Sequence, residues 1–142
     1  MRWAWLAAAG GVAGLALLAV RLRRTYLVIR VHGHSMAPTL TDGDRLLSRR
    51  TDLAELRNGQ IAVVVSPRPT GSEYLIKRVA ALPGDPVPAQ VRWVVGDDVV
   101  PDGRFVLIGD NTEASFDSRE HGYFHAADLH AVTVRKLKEA AA

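Results

Sequence analysis

The chain has 142 residues, of which 48% are hydrophobic and 23% are charged. This length allows one domain with a short appendage rather than two domains of ordinary size. The formal net charge is only +3 and aromatic residues make up 6% of the chain, so the composition does not indicate a nucleic-acid-binding surface. Because cysteine is absent, disulfides, cysteine-ligated metals and thiol nucleophiles are excluded.

An uncharged apolar segment lies near the N-terminus, from Trp3 to Val20. As a helix it would be about 27 Å long, roughly the hydrocarbon thickness of a thin bilayer. A cleaved signal peptide is the alternative, but the apolar run ends directly in arginines with no convincing small-x-small site before them. The sequence therefore predicts a single transmembrane helix as an anchor in residues 1–24, with the lipid bilayer as its partner. Under the positive-inside rule, the flanking arginines on their own predict that the rest of the chain faces the cytoplasm; these are Arg21, Arg23 and Arg24.

Residues 25–142 contain short β-rich runs separated by turn signals, without a long helical periodicity. We therefore predict an all-β fold, a compact antiparallel sheet, with one turn of helix in residues 125–129. The predicted strands fall in residues 25–32, 45–49, 60–66, 73–80, 91–95, 104–109 and 130–137.

Ser35 follows the first predicted strand and precedes a proline-containing turn. A lone serine in such a place is more often a turn residue than a nucleophile. The adjacent His34 is no obvious base for it, because neighbouring residues of an extended segment point to opposite faces. If Ser35 is a nucleophile, its proton has to go to another residue.

Lys77 lies within a predicted strand, where alternation places it on one face with Leu75 and Val79, opposite Tyr74, Ile76 and Arg78. A lysine among apolar neighbours either extends its amine to solvent at the sheet edge or is desolvated. In the second case the neutral amine can act as a general base. The pattern alone leaves both interpretations open.

A polar loop, residues 108–124, follows the predicted strand that ends near residue 109. Within it, Asp117 and Arg119 are two positions apart and can form a charge-assisted pair that stiffens the loop. Ser115 can exchange a hydrogen bond with a lysine amine.

Five stretches occur in a fixed order and at compact spacing: SMAPTL, GDRLL, NGQIAVVVSP, YLIKRVAALPGD and VLIGDNTEASFDSREHG. Together they resemble the type I signal peptidases, membrane-anchored serine proteases with a Ser/Lys dyad. The resemblance runs from about Val31 to Gly122, and the predicted anchor before it also fits.

The resemblance implies roles for individual residues. Ser35 matches the nucleophile and Lys77 its general base, while Ser115 matches a serine that orients the lysine amine. The remaining matches support the site: Asp117 and Arg119 as the loop pair, Gly109, Asp110 and Asn111 as the opening turn, and Met36 and Pro38 as the wall beside the nucleophile.

Two departures from the family pattern stand out. Some members carry a hydroxyl residue two positions before the nucleophile as a second oxyanion donor, but here that position is Gly33. Larger relatives insert an extra β domain between the lysine and the GDN loop, whereas only a short segment separates Lys77 from Gly109. The chain thus resembles a minimal form of the family.

The implied function is the removal of signal or leader peptides from secreted or membrane-inserted precursors cut after a small-x-small sequence. No cofactor, metal or nucleic acid is expected, and the family places the catalytic domain on the extracytoplasmic side. Other functions stay open: a dedicated maturation protease for one precursor, possibly facing the cytoplasm, a self-cleaving repressor-type Ser/Lys protease, and a silent peptide-binding module. A metal site formed by histidines is disfavoured because no carboxylate or cysteine accompanies them in metal-site spacing; these are His32, His34, His121 and His125.

Overall fold

A computed structural model describes residues 2–68 and 71–137, with side chains in the first helix described from residue 9 onward. The described residues contain three α-helices: α1 (Arg2–Thr25), α2 (Ala89–Val95) and α3 (Ser118–His121). The strands are β1 (Tyr26–Arg30), β2 (Arg45–Arg50), β3 (Ile61–Val65), β4 (Tyr74–Ala81), β5 (Arg104–Ile108), β6 (Phe124–His125) and β7 (Leu129–Leu137).

The seven strands form one antiparallel sheet in the order β1-β2-β7-β3-β4-β5-β6. Three strands separate β1 from β4 in this order, yet residues of both line one cleft, so the sheet curls upon itself. The all-β prediction for the domain is confirmed. A 3₁₀ turn at Ala126–Asp128 lies where one turn of helix was predicted.

The curled sheet is covered on both faces in its centre, which explains why β3 is apolar along its whole length. Val63 packs with Ile76 in a first core cluster, whereas Ala62 and Val64 pack with Val79 in a second. A third cluster packs α2 against the sheet. It contains Val91 of α2 together with residues of β4 and β5. The alternating faces of β4 predicted from the sequence are therefore present.

The prediction of a strand in residues 91–95 is wrong, because this segment belongs to α2. Val91 is buried, and Val95 packs against the same third cluster, a spacing of four residues that fits one helix face. Gly96 ends the helix in the left-handed conformation, with φ of 77°. A segment of five residues is too short for its period to be read, and the capping glycine was the missed signal.

The N-terminal segment is helical, and α1 contains the predicted anchor Trp3–Val20. The side chains of residues 3–8 lie outside the described part of the chain. Among the described residues, no helix has the length and apolarity needed to cross a membrane. The transmembrane anchor therefore stays a prediction.

Candidate active site

Ser35 lies in the turn after β1, and its backbone is held by the loop that follows β5. Its carbonyl oxygen accepts the N–H of Asn111 at 2.9 Å, and the Asn111 side chain donates to the carbonyl of His34 at 3.1 Å. Met36 is 2% exposed and packs in the first core cluster. The turn is therefore fixed from both sides of Ser35, which gives its hydroxyl a defined position.

Gly33 provides the bend that leads into this turn. Its φ is 83°, in the left-handed region that favours glycine. Its N–H donates to Asp42 Oδ1 at 2.8 Å. That donor is therefore already bound within the protein.

Lys77 is buried on β4, with only 3% of its surface exposed, and its Nζ lies 2.6 Å from Ser35 Oγ. Its neighbours on the same face, Leu75 and Val79, pack in the second core cluster. Burial lowers the pKa of Lys77 from 10.5 to about 8, although the Asp117 carboxylate opposes this shift. Of the two interpretations of the sequence, the structure thus has the desolvated lysine and not the one that extends to solvent.

The lowered pKa changes what the lysine can do. An ordinary lysine is neutral in about one molecule in a thousand at pH 7.4, whereas at a pKa of about 8 roughly one amine in five is neutral. A neutral amine at hydrogen-bond distance from a serine hydroxyl can accept its proton.

Asp117 is the centre of the loop behind the lysine, and its side chain is fully buried. It pairs with Arg119 at 2.8 Å, and it accepts hydrogen bonds from the Gly109 N–H at 2.8 Å and the Ser115 hydroxyl at 2.7 Å. Burial raises the pKa of Asp117, but the Arg119 guanidinium and the other donors outweigh it, so the net pKa is lowered. The structure thus contains the Asp117–Arg119 ion pair that the sequence predicts.

Ser115 takes a different partner from the one that the family resemblance implies. Its hydroxyl donates to Asp117, and among the described residues no hydrogen bond joins it to Lys77. Through Asp117 it is nevertheless part of the network beside the lysine.

Gly109 is required by close packing between this loop and the nucleophile turn. A Cβ atom at this position would lie 2.7 Å from the carbonyl oxygen of Ser35 and would also collide with Ser115. Only a glycine lets the two segments approach this closely.

Asp110 joins the same loop to the other face of β4. Arg78 donates to both of its carboxylate oxygens, at 2.8 and 2.6 Å, and Thr39 donates to it at 2.6 Å. The sequence reasoning assigned Asp110 to the turn but missed Arg78 as its partner. The signal for Arg78 in the sequence was the alternation of β4, which places it on the face opposite Lys77.

A cleft of about 580 Å³ contains Ser35 and Lys77 among its lining residues. One side is β1, an edge strand whose one partner among the described strands is β2, so its other edge is unpaired in this part of the chain. The opposite side is the start of β4, and Phe116 of the polar loop also lines the cleft. The cleft has room for an extended peptide beside the Ser35–Lys77 pair.

The histidines do not form a metal site among the described residues, where no cluster of three or more potential ligands occurs. His32 and His34 line the cleft, while His121 contacts the rings of Phe116 and Phe124.

A family model described as "Signal peptidase, peptidase S26" matches residues 2–99 and 88–137 of the chain. The chain belongs to the signal peptidase family, peptidase S26. Membership makes it a signal peptidase I-like hydrolase.

Known relatives of this signal peptidase-family chain come from organelles and bacteria. It is 36% identical over 115 residues to the mitochondrial ATP-independent inner membrane protease subunit 1a of Arabidopsis thaliana, covering 76% of this chain and 68% of that protein. It is 36% identical over 73 residues to signal peptidase I of Streptococcus pneumoniae, covering 51% of this chain but 34% of that protein. It is also 33% identical over 98 residues to the mitochondrial inner membrane protease subunit 1 of Schizosaccharomyces pombe, covering 63% of this chain and 59% of that protein.

Proposed function

We propose that this protein is a serine endopeptidase that removes signal or leader peptides, with Ser35 as nucleophile and Lys77 as general base. The observation that carries the proposal is the 2.6 Å contact between Lys77 Nζ and Ser35 Oγ, made by a lysine that is 3% exposed. A Ser–Lys pair is a known variant of nucleophile activation that requires no histidine.

In the acylation step, the neutral amine of Lys77 takes the hydroxyl proton as Ser35 Oγ attacks the scissile carbonyl carbon. The carbonyl π bond breaks and its electron pair goes to the oxygen, forming a tetrahedral oxyanion. When this collapses, the C–N bond breaks and the Lys77 ammonium returns the proton to the leaving amine. The Lys77 pKa of about 8 supports both proton transfers near neutral pH.

The Ser35 N–H supports the oxyanion, since it donates to no acceptor among the described residues. The Gly33 N–H is bound to Asp42 and is not a second donor in this arrangement. Loss of one oxyanion donor can raise a barrier by about 2.7–4 kcal/mol.

In deacylation, Lys77 takes a proton from water as the hydroxide attacks the ester carbonyl, and it then returns the proton to Ser35 as the C–O bond breaks.

The substrate is a precursor with small residues at the cleavage site, bound as an extended strand. The unpaired edge of β1 supports this, because its backbone groups can pair with a peptide while alternate side chains enter the cleft. Two of the relatives are named signal peptidase I and inner membrane protease, which supports precursor proteins as the substrate class.

We place the protein at a membrane through Trp3–Val20, with the catalytic domain on the extracytoplasmic side. The uncharged run and the names of the inner membrane proteases support this placement. The arginines after the run favour the opposite orientation. A cytoplasm-facing protease dedicated to one precursor is therefore the second candidate. The family match favours either of these over a self-cleaving repressor-type protease.

The test is cleavage of a small-x-small precursor by the detergent-solubilised full chain, comparing wild type with Ser35→Ala and Lys77→Ala. Each variant should lose at least about 10³-fold in rate, because nucleophile and base act as a unit. The matched controls are Ser66→Ala, outside the cleft, and Lys136→Ala on the surface, which should both cut at the wild-type rate.

Cleavage by Ser35→Ala at the wild-type rate would remove the nucleophile assignment. If Ser35→Ala is inactive but Lys77→Ala retains full activity, the base lies elsewhere. If the wild type cuts a partner precursor but no generic one, the dedicated protease takes precedence.

A further inference from the structure

We propose that Phe116, held in place by Arg68, sets the size of the substrate side chain that the cleft accepts. The inference rests on the proposed peptidase function and deepens it by naming a specificity-determining residue. It starts from a residue that no motif singled out.

Phe116 is positioned to meet a bound peptide. It lies between Ser115 and Asp117 in the loop behind Lys77, and its half-buried side chain lines the same cleft as Ser35. Ala114, two residues earlier, also lines the cleft but carries only a methyl group. Phe116 is therefore the bulky group that this loop presents to the substrate.

The Phe116 ring is covered by a cation from a different part of the chain. The Arg68 guanidinium carbon lies 3.6 Å from the ring centroid, well within the range of a cation–π contact. Arg68 also approaches Glu120 at 3.8 Å, but both side chains are more than half exposed, so this pair adds little.

The same ring is linked to the core through a second contact. The ring centroids of Phe116 and His121 are 5.8 Å apart, and those of His121 and Phe124 are 4.9 Å apart. Phe124 is fully buried and contacts Phe105 in the second core cluster. Phe116 thus stands in a stack that runs from Arg68 at the surface to the core.

This support makes Phe116 a wall rather than an adaptable side chain. To admit a larger substrate side chain, the ring would have to leave Arg68 or displace His121, and either movement gives up a contact of the ring. The geometry favours small side chains in the part of the cleft beside Phe116. Arg68 acts as a positioning residue, since its contact is with the ring and not with the substrate.

The test measures kcat/KM for pairs of peptides that carry Ala or Leu at one position, scanned over the four positions on each side of the cleaved bond. For Phe116→Ala, the Leu-to-Ala ratio should rise at least tenfold at one position and stay unchanged at the others. Arg68→Ala should raise the ratio at the same position by about threefold, because it loosens the wall without removing it.

Matched controls separate specificity from general damage. Trp93→Ala removes an aromatic side chain that is 79% exposed and outside the cleft, and Arg135→Ala removes an exposed arginine elsewhere. Neither should change the ratio. Phe116→Leu and Phe116→Val provide a graded series of smaller side chains if Phe116→Ala unfolds.

The inference is overturned if the folded Phe116 variants cut the Ala peptides with less than a twofold change in every ratio. It is also overturned if they lose both peptides equally, which would indicate a structural role for Phe116. If the wild type cuts no peptide, the proposed function fails first, and the specificity assignment falls with it.

Discussion

The two faces of β4 treat adjacent cations in opposite ways. On one face Lys77 is 3% exposed and its amine contacts a neutral serine hydroxyl at 2.6 Å. On the other face Arg78 forms a bidentate pair with Asp110, which raises the pKa of the guanidinium. The first arrangement makes a base available, and the second joins the strand to the loop after β5.

Paired carboxylates keep the buried Lys77 amine from forming an ion pair among the described residues. The nearest buried carboxylate, Asp117, is occupied by Arg119 and by two other donors. Its charge still raises the pKa of Lys77, but burial is the larger influence. Asp117 thus pairs with Arg119, no ion pair among the described residues joins a carboxylate to Lys77, and burial keeps the pKa of Lys77 low.

The largest stability effect is expected from removing the lysine. Lowering its pKa from 10.5 to about 8 corresponds to a folded-state penalty of about 3 kcal/mol when the amine is charged. Lys77→Met should therefore raise the free energy of unfolding at pH 7 by about 1–3 kcal/mol while abolishing cleavage.

The stability penalty of the charged amine should depend on pH, in a direction set by the lowered pKa of Lys77. Because the folded pKa is the lower one, the penalty is complete below pH 8, decreases as the pH rises from 8 to 10.5, and is absent above that. Thermal unfolding of both proteins across this range checks it, with Arg135→Met as the control at an exposed cation. A Lys77→Met protein less stable than wild type at pH 7 would contradict the penalty.

The opposite face should respond in the opposite direction. Arg78→Met leaves the Asp110 carboxylate, which is 17% exposed, without its guanidinium partner. Breaking a fully buried pair costs about 3–5 kcal/mol, and the 35% exposure of Arg78 reduces this to about 2 kcal/mol. Urea unfolding measures the loss, and Arg78→Lys should recover only part of it because a lysine lacks the bidentate fork. An unchanged midpoint in Arg78→Met would show that the pair contributes nothing.

The contrast between the faces was only partly visible in the sequence. Strict alternation placed Lys77 and Arg78 on opposite sides, and the motif order identified Asp117 with Arg119, because both patterns are local. The Arg78–Asp110 pair joins separate elements, and the alternation of β4 placed Arg78 on that face without identifying its partner. The segment 91–95 was assigned to the wrong element, since five residues are too few to show a helical period and the capping Gly96 was overlooked. Phe116 lies inside the stretch VLIGDNTEASFDSREHG, but the resemblance gave it no role, and the role proposed for it depends on contacts from Arg68 and His121.

The smallest effect, and the one most specific to the lysine, is the pH dependence of the rate. Because the base must be neutral, kcat/KM should rise about tenfold per pH unit below pH 8, pass its midpoint near 8 and level off above it. Asp117→Asn should move this midpoint to lower pH, since the Asp117 charge raises the pKa of Lys77. Asp110→Asn is the matched control and should leave the midpoint in place, because Asp110 interacts with Arg78 instead.

Steady-state cleavage of a peptide without titrating side chains measures these profiles. A midpoint near 10.5 would mean that Lys77 is solvated in the working enzyme. A midpoint in the ordinary histidine range, unmoved by Asp117→Asn, would assign the base to a histidine of the cleft, His32 or His34. A midpoint near 8 that moves in Asp117→Asn but not in Asp110→Asn would identify Lys77, on the buried face of β4, as the group whose titration sets the rate.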